Sequence, residues 1–125
     1  MAISITEAES VVMEVLWTRS PMPTEDVITA LEGEQHWQEA TIKTLLNRLL
    51  NKGAVEAQKD GRRYLYSPLL KREEWMLDES QGLLERLFGG RVAPLVAHFS
   101  QHRKLSRKDV AELRQLLEKL DDERR

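Results

Sequence analysis

The sequence predicts a mainly α fold with one small β-hairpin, a winged helix-turn-helix followed by a C-terminal helical region. Three observations predict it. Three amphipathic stretches fill residues 6–52. A hairpin signal centred on Asp60-Gly61 follows directly. Leucine seams at helical spacing run through the rest. The boundary falls between 69 and 70, giving a winged unit over 1–69 and a helical region over 70–125.

The first helix opens at Thr6, where Thr6-x-x-Glu9 has the form of a capping box. Ala8, Val11, Val12, Val15 and Leu16 then give one apolar face, and Ser20-Pro21-Met22-Pro23 ends the helix. Thr24 is expected to cap a short second helix, with Glu25 and Asp26 on its positive end, Val27, Ile28 and Leu31 inward, and Gly33 as its stop. A third helix is expected from Glu39 to Lys52. Ile42, Leu45, Leu46, Leu49 and Leu50 form its buried stripe, and Gly53 terminates it.

Val55 begins a strand. Asp60-Gly61 supplies the two central residues of a type I′ turn. Tyr64, Leu65 and Tyr66 form the return strand, and Pro68 closes it. Trp75, Leu83, Leu84, Leu87 and Phe88 mark a long helix ending at Gly89-Gly90. A short helix starts near Pro94, and Ser106 caps a final one bearing Val110, Leu113, Leu116, Leu117 and Leu120. Trp17, Trp37 and Trp75 are expected to pack in the core.

The charge is unevenly placed. The chain of 125 residues has a formal net charge of −2. Residues 1–40 hold one base and eight acids. Residues 41–72 hold eight bases (Lys43, Arg48, Lys52, Lys59, Arg62, Arg63, Lys71 and Arg72) against Glu56 and Asp60. A local block matters more than the total, because phosphate attraction is screened over about 8–10 Å. The outward face of the third helix carries Thr41, Lys43, Thr44, Asn47 and Arg48. Lys and Arg can donate to guanine, Asn can pair with adenine, and Thr can touch a phosphate or a thymine methyl. Lys59, Arg62 and Arg63 at the hairpin tip can reach the sugar-phosphate backbone or the minor groove. Double-stranded DNA is therefore the expected partner.

Other chemistry is poorly represented. The chain has no cysteine, which excludes disulfides, zinc thiolate sites and cysteine nucleophiles. His98 and His102 are four apart, a known metal-ligand spacing, but no cysteine accompanies them and His36 is distant, so a surface or partly buried pair is expected. There is no Gly-rich phosphate loop and no recognisable nucleophile arrangement. No enzyme, metal or cofactor is expected. The N-terminus lacks a basic n-region with an apolar h-region, and no apolar run approaches the roughly 20 residues of a membrane span, so the expected location is cytoplasmic. Leucine seams on polar helices need a partner, so Leu84, Leu87, Phe88, Val110, Leu113, Leu116, Leu117 and Leu120 are expected to form a homodimer interface.

The ordered set Thr41-Ile-Lys-Thr-Leu-Leu-Asn-Arg-Leu49, Lys52-Gly53, Gly61-Arg62 and Tyr66-x-Pro68 resembles the penicillinase-repressor family, the BlaI/MecI group of winged-helix repressors. The resemblance spans nearly the whole chain. Ala8-Glu9, Val12-Met13 and Leu16-Trp17 match the family's first helix, and Trp37 precedes the third helix as it does there. Phe88-Gly89-Gly90, Leu95-Val96 through Phe99, and Leu105-Ser106 match its C-terminal region.

The resemblance implies a dimeric repressor of an antibiotic-resistance or stress operon. It also implies release by proteolysis, carried out by a membrane sensor metalloprotease. The best-known members are cut at an Asn-Phe bond; the matching place here is His98-Phe99. The copper-sensing branch carries a C-terminal cysteine cluster that this chain lacks, so copper sensing is rejected. Two other readings stay open from the sequence: a winged-helix regulator controlled by a small ligand, and a protein-interaction module that does not bind DNA.

Overall fold

The computed structural model describes residues 3–125. Among them the order is α1 (Glu7–Thr18), β1 (Met22–Pro23), α2 (Thr24–Gln35), α3 (Glu39–Lys52), β2 (Val55–Asp60), β3 (Arg63–Pro68), α4 (Arg72–Phe88), α5 (Val92–Gln101) and α6 (Arg107–Glu123). The chain divides into two compact units, the first running to Asp78 and the second Glu79–Arg125.

In the first unit α1, α2 and α3 enclose the core, and a three-stranded antiparallel sheet of order β1-β3-β2 adjoins it. The capping box of α1 is formed: the Thr6 hydroxyl accepts from Glu9 N–H at 3.1 Å, and Thr6 N–H donates to Glu9 Oε1 at 2.7 Å. The deeply buried positions of α1 are Glu9, Val12, Met13 and Leu16. Ala8, Val11 and Val15, expected on that face, are half-buried at its margin. The inward face of α1 is therefore centred off the expected one, with an acid at one of its four innermost positions.

Thr24 does not cap α2. Pro23 holds the cap position without a side-chain hydrogen bond, and Thr24 is the first helical residue. The reason is β1: the segment that ends α1 also supplies a strand. Met22 pairs with Tyr66 and Pro23 with Leu65, so the chain stays extended up to Thr24. Nor does Gly33 stop α2. The helix continues to Gln35, and His36 takes the left-handed exit at φ 55°.

α3 has the expected bounds, and Gly53 leaves it at φ 78°, a left-handed value that favours glycine. Ile42, Leu45, Leu46 and Leu49 are buried, but Leu50 is 37% exposed. At about 100° per residue, Leu50 lies about 80° round from Ile42, past the edge of the stripe. The hairpin also differs by one residue. Asp60 pairs with Arg63, so the turn residues are Gly61 and Arg62. Positive φ is found at Gly61 (66°) and not at Arg62, the pattern of a type II′ turn.

Beyond the sheet, Leu69 and Leu70 N–H both donate to Ala54 C=O, and Leu70 is buried. Trp17 Nε1 donates to Leu70 C=O at 2.8 Å, and the Trp17 and Trp75 rings lie 5.3 Å apart. Arg72 pairs with Glu14 at 2.9 Å. These contacts carry the first unit past residue 69 into the start of α4.

The second unit is differently built. Ser106 caps α6 in a second capping box, with Asp109. Gly89 and Gly90 both have positive φ where the chain leaves α4. Neither α4, α5 nor α6 contains a fully buried residue. α5 and α6 flank an open apolar groove of about 740 Å³ lined in part by Val92, Val96, Val110, Leu113 and Leu117. No helix among the described residues is long and apolar enough to cross a membrane.

The corrected burial of α3 has a measurable consequence. Leu49→Ala removes a fully buried side chain and is expected to cost about 2–5 kcal/mol in urea unfolding, whereas Leu50→Ala should cost about 1 kcal/mol or less. Equal losses would place both residues in the core.

Candidate nucleic-acid interface

The apolar stripe of α3 turns its other side outward. Thr41, Lys43, Thr44, Asn47 and Arg48 are all exposed. Ala40, Thr41, Thr44, Leu45 and Arg48 line a shallow concavity of about 260 Å³. The Thr44 hydroxyl donates to Ala40 C=O at 2.9 Å, within the helix. Lys43 Nζ lies 3.0 Å from Glu39 Oε1 one turn earlier, both side chains more than half exposed. An exposed pair of this kind contributes about 0.3–0.5 kcal/mol, so it yields readily to a phosphate or base.

On the hairpin, Lys59 and Arg62 are exposed, Arg62 in the turn itself. Arg63 sits on the first position of β3, and its Nη2 lies 3.4 Å from Asp60 Oδ2. Arg62 and Arg63 are therefore not equivalent: one tops the loop, the other neutralises its neighbour across the strand pair.

The eight-cation block thins when its partners are counted. Lys43, Lys52, Arg63 and Arg72 each pair with a carboxylate. Among the described residues Arg48, Lys59, Arg62 and Lys71 have no such partner. The most consequential pairing was missed in the sequence. Lys52 Nζ reaches Glu9 Oε1 at 2.5 Å, and the Glu9 side chain is only 1% exposed. The capping-box spacing was a signal that Glu9 turns inward, but Lys52 lies 43 residues away and nothing local announces it.

In the second unit, His98 and Phe99 lie inside α5, both exposed. The His98 ring is 5.9 Å from Phe88 and 4.7 Å from His102. Leu84, Phe88 and Leu113 are half-buried, while Leu87, Val110, Leu116, Leu117 and Leu120 are exposed, Leu87 at 64% and Leu117 at 59%.

The family profile described as Penicillinase repressor matches residues 5–119. The chain belongs to the penicillinase repressor family. It is 35% identical over 114 residues to the penicillinase repressor of Bacillus licheniformis, an alignment covering 91% of this chain and 89% of that protein. It is 28% identical over 115 residues to the methicillin resistance regulatory protein MecI of Staphylococcus aureus strain N315, covering 92% and 94%. The solution structure of the Bacillus licheniformis BlaI monomeric form in complex with the blaP half-operator is similar at a TM-score of 0.53 and 38% identity, over 58% of this chain and 90% of that one. The family is one of transcriptional repressors, DNA-binding regulators and not enzymes, and the mainly helical winged-helix fold is the one found in its solved members.

The buried carboxylate makes the stability of the first unit depend on pH. Burial pushes the Glu9 carboxyl up; the hydrogen bond from Lys52, those from Thr6 and the Lys52 charge outweigh it, and the balance lies below the ordinary 4.5. A lowered folded value means that the contribution is complete above the ordinary carboxylate range and is lost as pH falls through the folded value. Stability of the parent relative to Glu9→Gln is expected to be greatest above about pH 5 and to decline progressively below it. Urea unfolding at a series of pH values checks this, and a difference that does not change with pH would remove the ionised pair from the account.

Proposed function

We propose that the chain is a transcriptional repressor that binds a palindromic operator as a homodimer and is released by cleavage in its C-terminal region. The observation that carries the reading is the outward face of α3. Lys43, Thr44, Asn47 and Arg48 stand together on a helix whose other side is buried, in a chain whose Bacillus licheniformis relative was solved on a half-operator. In this reading α3 enters the major groove, with Arg48 and Asn47 donating to base edges and Thr41, Thr44 and Lys43 placing the helix. Lys59 and Arg62, helped by Arg63 once Asp60 gives way, touch the backbone from the wing.

Dimerisation through residues 70–125 is supported by the exposed apolar residues Leu87, Val110, Leu116, Leu117 and Leu120. Full burial of one such side chain contributes about 1.5–3 kcal/mol, a strong drive toward a second copy. Two winged units held together gain a high effective concentration for the second half-site. A cut between His98 and Phe99 removes α6 with its leucines and ends that advantage. The bond lies inside α5, so a protease must catch the helix locally open. A membrane sensor metalloprotease, antibiotic-resistance genes and a cytoplasmic setting complete the reading, on the strength of the family.

Arg48→Ala and Lys43→Ala are expected to weaken operator binding without unfolding the chain. A base contact should cost about 1–3 kcal/mol and relax specificity, and a phosphate contact should weaken all sequences alike. Arg62→Gln should lower the slope of log affinity against log salt by about one unit, and Arg63→Gln by less because of Asp60. If all four variants bind like the parent, α3 and the wing do not face DNA.

The dimer and the switch are tested together with fragment 1–98. Sedimentation should show a dimeric full chain at micromolar concentration and a monomeric fragment that holds the operator far more weakly. A fragment that stays a tight dimer on its operator would exclude cleavage at His98-Phe99 as the switch.

A further inference from the structure

Apolar burial holds α3 against the core without fixing its rotation. The hydrophobic effect is non-directional, and a helix resting on Ile42, Leu45, Leu46 and Leu49 can turn or slide slightly with most of that surface still buried. Base reading is directional, since a donor must meet its acceptor at about 2.7–3.2 Å. Something directional must therefore seat the helix.

Among the described residues, one side-chain hydrogen bond joins α3 to another element. Lys52, the last residue of α3, donates from Nζ to Glu9 Oε1 at 2.5 Å. The carboxylate that receives it is itself anchored, because the same Oε1 accepts Thr6 N–H in the capping box of α1. The link thus runs from the backbone of one helix's first turn to the last turn of another. Glu9 Oε2, by contrast, is buried with no hydrogen-bond partner. A desolvated oxygen left unpaired is unfavourable and offsets part of what the ionised pair contributes to stability. Its geometric role is better supported: backbone bonds from Ala54 to Leu49 and from Leu69 and Leu70 to Ala54 hold the end of α3 to the wing, and among the described residues the Lys52–Glu9 bond is the one side-chain hydrogen bond that holds it to another helix.

We propose that Glu9 is a positioning residue for DNA recognition: through Lys52 it sets the rotation and axial placement of α3, so that Lys43, Thr44, Asn47 and Arg48 meet the groove in register. The proposal rests on the reading of α3 as the DNA-contacting helix. It also gives Lys52 a role inside the protein and not on phosphate.

The test uses full-length protein and two probes, the duplex that the parent enriches from a random-sequence pool and a shuffled duplex of the same length. Glu9→Gln keeps the shape of the side chain and removes its charge. It is expected to lower the preference for the enriched duplex by about tenfold or more, comparable to losing one base contact. Affinity for the shuffled duplex should hold or rise. The salt slope should steepen by up to about one unit as the released Lys52 turns to phosphate. Lys52→Gln should lose the same preference without the steeper slope. A merely structural role would lower both affinities together and leave their ratio alone. If Glu9→Gln does not fold, Lys52→Gln decides, since Lys52 ends its helix and its side chain is 35% exposed. Folded variants that keep the parent's preference overturn the proposal. A parent that binds no duplex at any salt overturns the DNA reading, and the proposal with it.

Discussion

Burial of Ile42, Leu45, Leu46 and Leu49 is the constraint from which the rest of the first unit follows. A helix with one apolar stripe has one way to face the core, and that choice points Lys43, Asn47 and Arg48 away from it. The same stripe draws α1 and α2 around it through Val12, Met13, Leu16, Val27 and Leu31. Gly53 then turns the chain back sharply enough for Ala54 to bond to Leu49 and for β2 to begin at Val55. The wing is in this sense an extension of the way α3 ends. Its basic tip and the polar face of α3 belong to one compact unit because Ala54 C=O and Leu70 tie the far end of the hairpin to the core.

Charge in this unit divides into two kinds of use. Four cations of the central block are held by carboxylates, and they differ in what the holding means. Lys43–Glu39 and Arg63–Asp60 are exposed and local in sequence, worth little to the fold and easily exchanged for a phosphate. Lys52–Glu9 and Arg72–Glu14 span most of the unit and tie α1 to the end of α3 and the start of α4. The acidic first 40 residues, which look adverse for a DNA-binding chain, supply two of these long-range partners. Their negative charge is partly consumed in organising the basic face.

Local signals were legible and long-range ones were not. Thr6-x-x-Glu9, the bounds of α3, Gly53 and the Ser106 cap could be read because each depends on residues within one helical turn. β1 could not: two residues, one of them proline, become a strand only when β3 arrives from more than 40 positions away. The hairpin turn was misplaced by one because Asp60-Gly61 and Gly61-Arg62 both suit a tight turn, and the pairing of Asp60 with Arg63 decides between them. Glu9 was seen as a cap and not as a buried partner of Lys52 for the same reason. At the candidate interface, the outward face of α3 is legible from periodicity alone, whereas the inequality of Arg62 and Arg63 needs the strand register.

The second unit poses a different physical problem. Fixing the backbone of a residue costs about 1–2 kcal/mol of conformational entropy, and a segment that buries no residue completely has little to offset that cost. Capping boxes and helical propensity contribute tenths to about a kilocalorie each, too little for three helices. On the proposed reading the missing contribution comes from the second copy, so that ordering of the helices beyond Asp78 and association are one event. Such coupling makes the region vulnerable where it is most useful. Each exposed leucine that becomes buried between copies stabilises the helix it sits on, and removing α6 takes that support from α5 as well. A helix that is stable only as part of an interface opens more readily once the interface is weakened, which exposes the His98-Phe99 bond further. On that reading, proteolysis of one copy would favour proteolysis of its partner, with no change in the face of α3 proposed to read DNA.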